Sequence, residues 1–123
     1  MTTAMVSALR LKSAGEKAMG ITLVYMTTGD KEEARAIGKA LIKSNLAACV
    51  NIIDSMNSLY RWEGKLQDDQ ETILIAKTTQ EKIEDLKKKV VSIHSYDCPC
   101  ILTFPVSDGH APFMTWIKDQ VTG

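Results

Sequence analysis

The sequence predicts an α+β protein with the ferredoxin-like split βαβ arrangement, in which two strand–helix–strand units share one sheet. Runs of β-branched and aromatic residues alternate with apolar residues at helical spacing, and a further amphipathic stretch closes the chain. No linker or shift in composition interrupts residues 19–123. With 45% hydrophobic residues in 123, we expect these residues to form a single domain with its own core.

The first unit begins with a strand predicted over residues 21–28, and Gly29 then predicts a turn. Asp30 and Glu33 have the spacing of a capping box and predict the start of a helix. Its apolar stripe consists of Ala34, Ile37 and Leu41. Asn45 suits a left-handed residue that ends the helix, and a second strand then starts at Ala47.

A long β-hairpin joins the two units. Its first strand extends from Ala47 to Trp62, and the chain reverses at residues 63–65. The return strand includes residues 72–76, while the polar stretch 67–70 predicts a bulge or bend.

The second helix is predicted by another capping box, formed by Thr78 and Glu81. Ile83, Leu86, Val90 and His94 recur on one helical face, with His94 at the helix end. Residues 98–106 predict the fourth strand, and Pro112 suits the first turn of a closing helix. The closing helix has an apolar stripe of Phe113, Trp116, Ile117 and Val121. Helices on one side of a four-stranded sheet leave its other face to be covered, which favours an oligomer.

Composition and missing motifs exclude several function classes. Lys and Arg total 15, as do Asp and Glu, so no basic field would attract nucleic acid or an anionic membrane. No apolar run is long enough for a membrane span. The glycine-rich phosphate-binding motifs GxGxxG and GxxxxGK[ST] do not occur, so we expect no bound nucleotide. Neighbouring carboxylates such as Asp68 and Asp69 point apart on a strand, and we expect no enzymatic activity.

The N-terminal segment and the cysteines give indications about the cellular compartment of the protein. Residues 1–18 are rich in small and hydroxyl residues and carry three basic residues and one acid. A vector-derived or poorly constrained extension, a weak targeting segment and a structured element are all compatible with this composition. Three cysteines cannot all pair within one chain, which favours free thiols in a reducing compartment, and hence the cytoplasm.

The segment 94–100 is the candidate metal site. His94, Cys98 and Cys100 combine imidazole and thiol groups, which suit copper or zinc, and the thioether of Met26 could add a soft ligand. The alternative is structural: the thiols and Met26 pack as hydrophobes, and His94 caps the helix C-terminus.

The aromatic pair Tyr60 and Trp62 alternates on one face of the hairpin close to its turn. Such a pair could stack RNA bases, but the RNP-type pattern of glycine and closely spaced aromatics is absent. Burial against another protein chain fits the position at a hairpin end better.

Four short motifs occur in one order and spacing: AACVNI at 47–52, SLYRWEGK at 58–65, KTT at 77–79 and HxYDxP at 94–99. Together they resemble the CutA divalent-cation tolerance family over residues 21–121. The resemblance implies a ferredoxin-like subunit in a homotrimer, and an association with tolerance of copper and other divalent cations. It also implies a copper site near His94 with a contribution from Met26.

Two departures from the family pattern concern that site. The usual His-Pro-Tyr-Glu is His-Ser-Tyr-Asp here, and Cys100 stands where the family commonly has a glutamate. Because sulfur is softer than oxygen, the second change favours Cu(I) or zinc over magnesium or calcium.

Two functions follow as hypotheses. The first is a trimeric metal-binding protein of the response to metal ions. The second is a PII-like signalling or scaffold trimer that binds a small molecule in clefts between subunits. The cleft would be lined by Tyr60, Trp62, Glu63, Lys65, Lys77 and His94. An RNA-binding module is a third and weaker alternative.

Overall fold

The computed structural model describes residues 20–122, and the predicted extension over residues 1–18 lies outside them. In chain order the elements are β1 (Ile21–Thr28), α1 (Lys31–Lys43), β2 (Cys49–Trp62), β3 (Lys65–Thr79), α2 (Ile83–Ile93), β4 (Ile101–Pro105) and α3 (Ala111–Val121). A short 3₁₀ turn, Gln80–Lys82, precedes α2. The strands form one antiparallel sheet in the order β2-β3-β1-β4. This arrangement confirms the predicted α+β fold class.

The main core lies between one face of the sheet and helices α1 and α2. Alternate residues of β1 and β3 point into it, including Val24, Met26 and Leu74, each fully buried. The helices contribute the predicted apolar stripes, with Leu41 and Leu86 also fully buried. The sheet is therefore anchored on this side by α1 and α2.

Within residues 20–122, the opposite face of the sheet, which we call the open face, is covered only in part. Helix α3 packs Met114 and Ile117 against Ile21 at one end. Elsewhere on this face Leu102 and Phe104 of β4 remain 54% and 52% exposed. An apolar sheet face of this kind matches the expected need for a covering partner.

The start of α1 follows the prediction. The Glu33 amide donates to Asp30 Oδ1 at 2.8 Å, so Asp30 caps the helix with its side chain. The Glu33 carboxylate accepts from the Gly29 amide at 3.1 Å, one residue before the cap. Asn45 has a φ of 57°, the left-handed conformation that was expected after the helix.

The predicted capping box of α2 is wrong. Thr78 belongs to β3, where it pairs with Thr22, and its buried hydroxyl has no hydrogen-bond partner within residues 20–122. The chain leaves the strand one residue later through the 3₁₀ turn, and Lys82 precedes α2 without a side-chain cap. Strand pairing therefore overrides the local capping signal.

The bulge was also predicted at the wrong place. Residues 67–70 pair without interruption, whereas β2 has an irregularity between Ile53 and Met56 and Ser55 has a φ of 61°. Asp54 stabilises this bulge, because its Oδ1 accepts from the Ser55 amide at 2.8 Å and from the Thr72 hydroxyl at 2.9 Å. Residues 67–70 are polar because this part of the hairpin extends into solvent.

The fourth strand is shorter than predicted and covers Ile101–Pro105. Cys98 and Cys100 lie in the loop before it. Pro99 has no amide hydrogen to donate to a neighbouring strand, which is consistent with pairing that begins only at Ile101.

Candidate functional site

A cavity of about 380 Å³ opens on the open face of the sheet, between the hairpin and the loop that follows α2. It is lined by Thr27, Tyr60, Trp62, Glu71, Tyr96, Asp97, Cys98 and Cys100. None of these is basic, and two are carboxylates. Within residues 20–122 the lining therefore favours a cation over an anion.

The strand register explains how one wall of the cavity forms. Tyr60 and Trp62 are two residues apart on β2, so their side chains share a face. Tyr60 pairs with Gln67, and Glu71 lies on the same face of β3 as Gln67 because side chains alternate along the strand. The bulge near Ser55 sets this register for the outer part of the hairpin.

His94 fixes the loop that forms the other wall. Its Nε2 donates to the Thr27 carbonyl oxygen at 2.8 Å, and its Nδ1 accepts from the Tyr96 amide at 3.0 Å. These two bonds assign the neutral Nε2-H tautomer. The imidazole is fully buried, and its ring centroid lies 4.6 Å from that of Tyr96.

Glu33 holds the same loop from the side of α1. Its carboxylate accepts from the Ser95 amide at 2.7 Å, from the Ser95 hydroxyl at 3.0 Å and from the Gly29 amide at 3.1 Å. Burial opposes ionisation, but these hydrogen bonds outweigh it, so the pKa of Glu33 is lowered. The charged carboxylate thus joins the N-terminus of α1 to the loop.

Carboxylates also orient the two tyrosines of the cavity. The Tyr96 hydroxyl donates to Glu71 Oε2 at 2.8 Å, and the Tyr60 hydroxyl donates to Asp69 Oδ2 at 2.5 Å. Burial and then the bond to Glu71 raise the pKa of Tyr96, whereas the bond to Asp69 is the main cause of the raised pKa of Tyr60. Both phenols are therefore protonated at neutral pH.

Two of the three free thiols reach the cavity. Cys98 is exposed and Cys100 half-buried. Burial first, and then the charge of Glu71, raise the pKa of the Cys100 thiol, while a hydrogen bond with Thr27 acts in the opposite direction. A cation that binds this sulfur as a thiolate must therefore displace its proton.

The structure brings together Tyr60, Trp62, Cys98 and Cys100, but not the other predicted site residues. His94 lies behind the cavity wall, with both ring nitrogens hydrogen-bonded. The remaining four lie elsewhere: Met26 in the core, Glu63 and Lys65 at the hairpin turn, and Lys77 beside the Phe113 ring at the far end of the sheet. The Lys77 ammonium is 5.5 Å from that ring centroid and 4.0 Å from Cys49 Sγ.

Sequence analysis missed Thr27, Glu71, Tyr96 and Asp97. Tyr96 and Asp97 belong to the HxYDxP motif and could have been found there. Glu71 gives no local signal, because its role depends on the hairpin register. Within residues 20–122, no three or more His, Cys, Asp or Glu side chains are grouped so that they could hold a metal ion.

Comparison with known proteins identifies the family of this fold and site. A profile of the CutA1 divalent ion tolerance proteins matches residues 22–120. The chain belongs to the CutA1 family. The resemblance found in the four sequence motifs is thereby confirmed.

Individual CutA1 relatives match over most of the chain. The divalent-cation tolerance protein CutA of Thermus thermophilus is 39% identical over 98 residues, which are 80% of this chain and 95% of that protein. The chloroplastic CutA of Arabidopsis thaliana is 34% identical, covering 93% of this chain but only 62% of the plant protein.

A solved CutA structure supports the same assignment. The periplasmic divalent cation tolerance protein CutA of Archaeoglobus fulgidus superposes with a TM-score of 0.80 and 39% identity, covering 82% of this chain and 98% of that one. The names of the Thermus and Archaeoglobus proteins describe tolerance of divalent cations. In the part of the chain described here, no helix is long and apolar enough to cross a membrane.

Proposed function

We propose that this CutA1 family member binds copper or another divalent or thiophilic ion through Cys98 and Cys100, as part of the response to metal ions. The observation that supports this most directly is that both thiols open onto one cavity, which also has the carboxylates of Glu71 and Asp97 and, within residues 20–122, no basic lining residue. Soft sulfur donors favour Cu(I) and zinc, and the acidic surroundings favour a cation in general.

The contributions of His94 and Met26 differ in this proposal. His94 would have to give up the hydrogen bond from Tyr96 or the one to Thr27 before a nitrogen could bind a metal. Met26 is fully buried and pairs with Ile101, the residue that follows Cys100. We therefore assign ligation to the two thiols, give His94 the role of holding their loop, and test His94 separately.

We also propose that the domain over residues 19–123 assembles as a homotrimer, as the family resemblance implies. The half-exposed Leu102 and Phe104 on the open face support an interface there. Leu59 and Leu66 on the hairpin are 66% and 77% exposed, which would be unfavourable in an isolated subunit. The free thiols favour the reducing cytoplasm, although the Arabidopsis relative is named chloroplastic and the Archaeoglobus one periplasmic.

A PII-like role, with a small molecule bound in clefts between subunits, is the second candidate. The cavity volume of about 380 Å³ is at the lower end of the range for small-molecule sites, roughly 300–1,000 Å³. Tyr60 and Trp62 supply the apolar surface that such sites use.

Anaerobic titration of the reduced protein with Cu(I), with light scattering on the same samples, tests the metal proposal. We expect stoichiometric binding that is lost in the Cys98→Ser/Cys100→Ser variant and kept in Cys49→Ser, because Cys49 lies beside Lys77 and away from the cavity. A trimer mass is expected in each case. Equal binding by all three proteins would contradict the proposal. Loss in His94→Gln would return ligation to the imidazole if that variant keeps the wild-type thermal stability, which shows that the loop bonds of His94 are not what was lost.

A further inference from the structure

We propose that the aromatic side of the cavity binds a small organic cation that carries an ammonium group, primary or alkylated. The inference rests on the second candidate function, a small molecule in this cavity, and names its ligand class. It does not depend on metal binding, because it uses Tyr60, Trp62 and Tyr96 rather than the thiols.

The aromatic rings provide the first argument. Tyr60 and Trp62 project from the same face of β2, and Tyr96 reaches the cavity from the loop after α2. In the single subunit the Tyr60 and Trp62 side chains are 42% and 53% exposed. The negative face of an aromatic ring attracts ammonium groups, most strongly for tryptophan.

Charge provides the second argument. Among the described residues that line the cavity, the only charged ones are Glu71 and Asp97. The hydroxyls of Tyr96 and Tyr60 are each bound to a carboxylate, which orients both phenols.

Size provides the third argument. A bare metal ion needs only its ligand shell, whereas about 380 Å³ accommodates a small organic molecule. An ammonium group placed among the rings could contact Glu71 or Asp97 while its alkyl part displaces water from the aromatic surface. The combination of three rings, two carboxylates and no basic lining residue selects this ligand class.

Fluorescence titration of the assembled protein tests the inference. The chain has two tryptophans, so in a Trp116→Phe background Trp62 is the single tryptophan reporter. The probe is tetramethylammonium chloride at constant ionic strength, and tert-butanol serves as an uncharged molecule of similar shape. We expect saturable quenching of Trp62 by tetramethylammonium and none by tert-butanol over the same concentrations.

Variants locate the binding site. Tyr60→Leu and Glu71→Gln should each weaken tetramethylammonium binding by about tenfold. Glu84→Gln, which removes an exposed carboxylate at the start of α2, should leave it unchanged. Light scattering and circular dichroism test whether each variant keeps its assembly and fold. If Glu71→Gln loses either, the binding result for Tyr60→Leu alone tests the inference.

Two results would overturn the inference: no saturable response to tetramethylammonium, or an equal response to tert-butanol. The Cys98→Ser/Cys100→Ser variant separates it from the metal proposal, since we expect that variant to lose Cu(I) and keep tetramethylammonium. Loss of both ligands in that variant would overturn the assignment of the two ligands to different sides of the cavity.

Discussion

The Ser95 amide donates a hydrogen bond to the Glu33 carboxylate at 2.7 Å, although the two residues are 62 positions apart in the chain. The Ser95 hydroxyl bonds to the same carboxylate at 3.0 Å. Because Ser95 precedes Tyr96 and the cavity thiols, the N-terminus of α1 helps to fix the loop wall of the cavity.

Glu33→Gln should destabilise the protein in a pH-dependent way. The pKa of Glu33 is lowered on folding, so its stabilising effect is present above the unfolded pKa of about 4.3 and is lost as pH falls through the folded pKa. At pH 7 we expect a loss of about 2 kcal/mol, because an amide replaces a carboxylate that accepts three hydrogen bonds. Urea unfolding at fixed protein concentration, at pH 7 and at decreasing pH, measures the difference.

Glu32→Gln is the matched control, since Glu32 is an exposed neighbour on the first turn of α1. It should change stability by less than about 0.5 kcal/mol. If the loss of unfolding free energy in Glu33→Gln stays constant down to acidic pH, the charge of the carboxylate is not the cause of the stabilisation.

The affinity for Cu(I) should rise with pH. The pKa of Cys100 is raised, so its thiol is protonated at neutral pH and metal binding releases that proton. We expect the apparent affinity to increase between about pH 6 and pH 8, by up to about tenfold per pH unit for each proton displaced. Competition titration against a Cu(I) chelator measures it. In Cys100→Ser the slope should fall by about one proton, and equal slopes in both proteins would exclude Cys100 as a ligand.

Thr78→Val should stabilise the protein by about 1 kcal/mol. The Thr78 hydroxyl is fully buried without a hydrogen-bond partner among the described residues, so replacing it with a methyl group removes a desolvation cost. Its strand partner Thr22 is the control: that hydroxyl donates to the Gly20 carbonyl oxygen at 3.1 Å, and Thr22→Val should be destabilising. Thermal unfolding measures the stability of both variants relative to wild type. If Thr78→Val is destabilising, a water molecule binds the Thr78 hydroxyl in the wild-type protein.

Gly38→Ala should destabilise the protein although alanine favours helices. A Cβ at position 38 would lie 2.8 Å from Val50 Cγ2, so α1 and β2 would have to separate. We expect a net loss of about 1–2 kcal/mol after the helix-propensity gain of about 1 kcal/mol. In a Val50→Ala background the same change should become neutral or stabilising. A stabilising Gly38→Ala in the wild-type protein would show that Val50 can move without cost.

The sequence by itself determined the features that depend on neighbouring residues. Asp30 and Glu33 defined the start of α1, Asn45 its left-handed end, and residues 63–65 the reversal of the hairpin. The apolar periodicity also placed Leu41 and Leu86 in the core. These predictions were confirmed because a cap, a turn or a helical stripe is a property of a few successive residues.

Only the tertiary structure decided the features that depend on strand pairing and long-range contacts. Thr78 stayed in β3 because it pairs with Thr22, and the bulge formed where Asp54 could bind Thr72 rather than in the polar stretch 67–70. The cavity has the same origin. Glu71 faces Tyr96 through the hairpin register, and the loop wall depends on Glu33, so residues distant in sequence meet there at distances that no local pattern encodes.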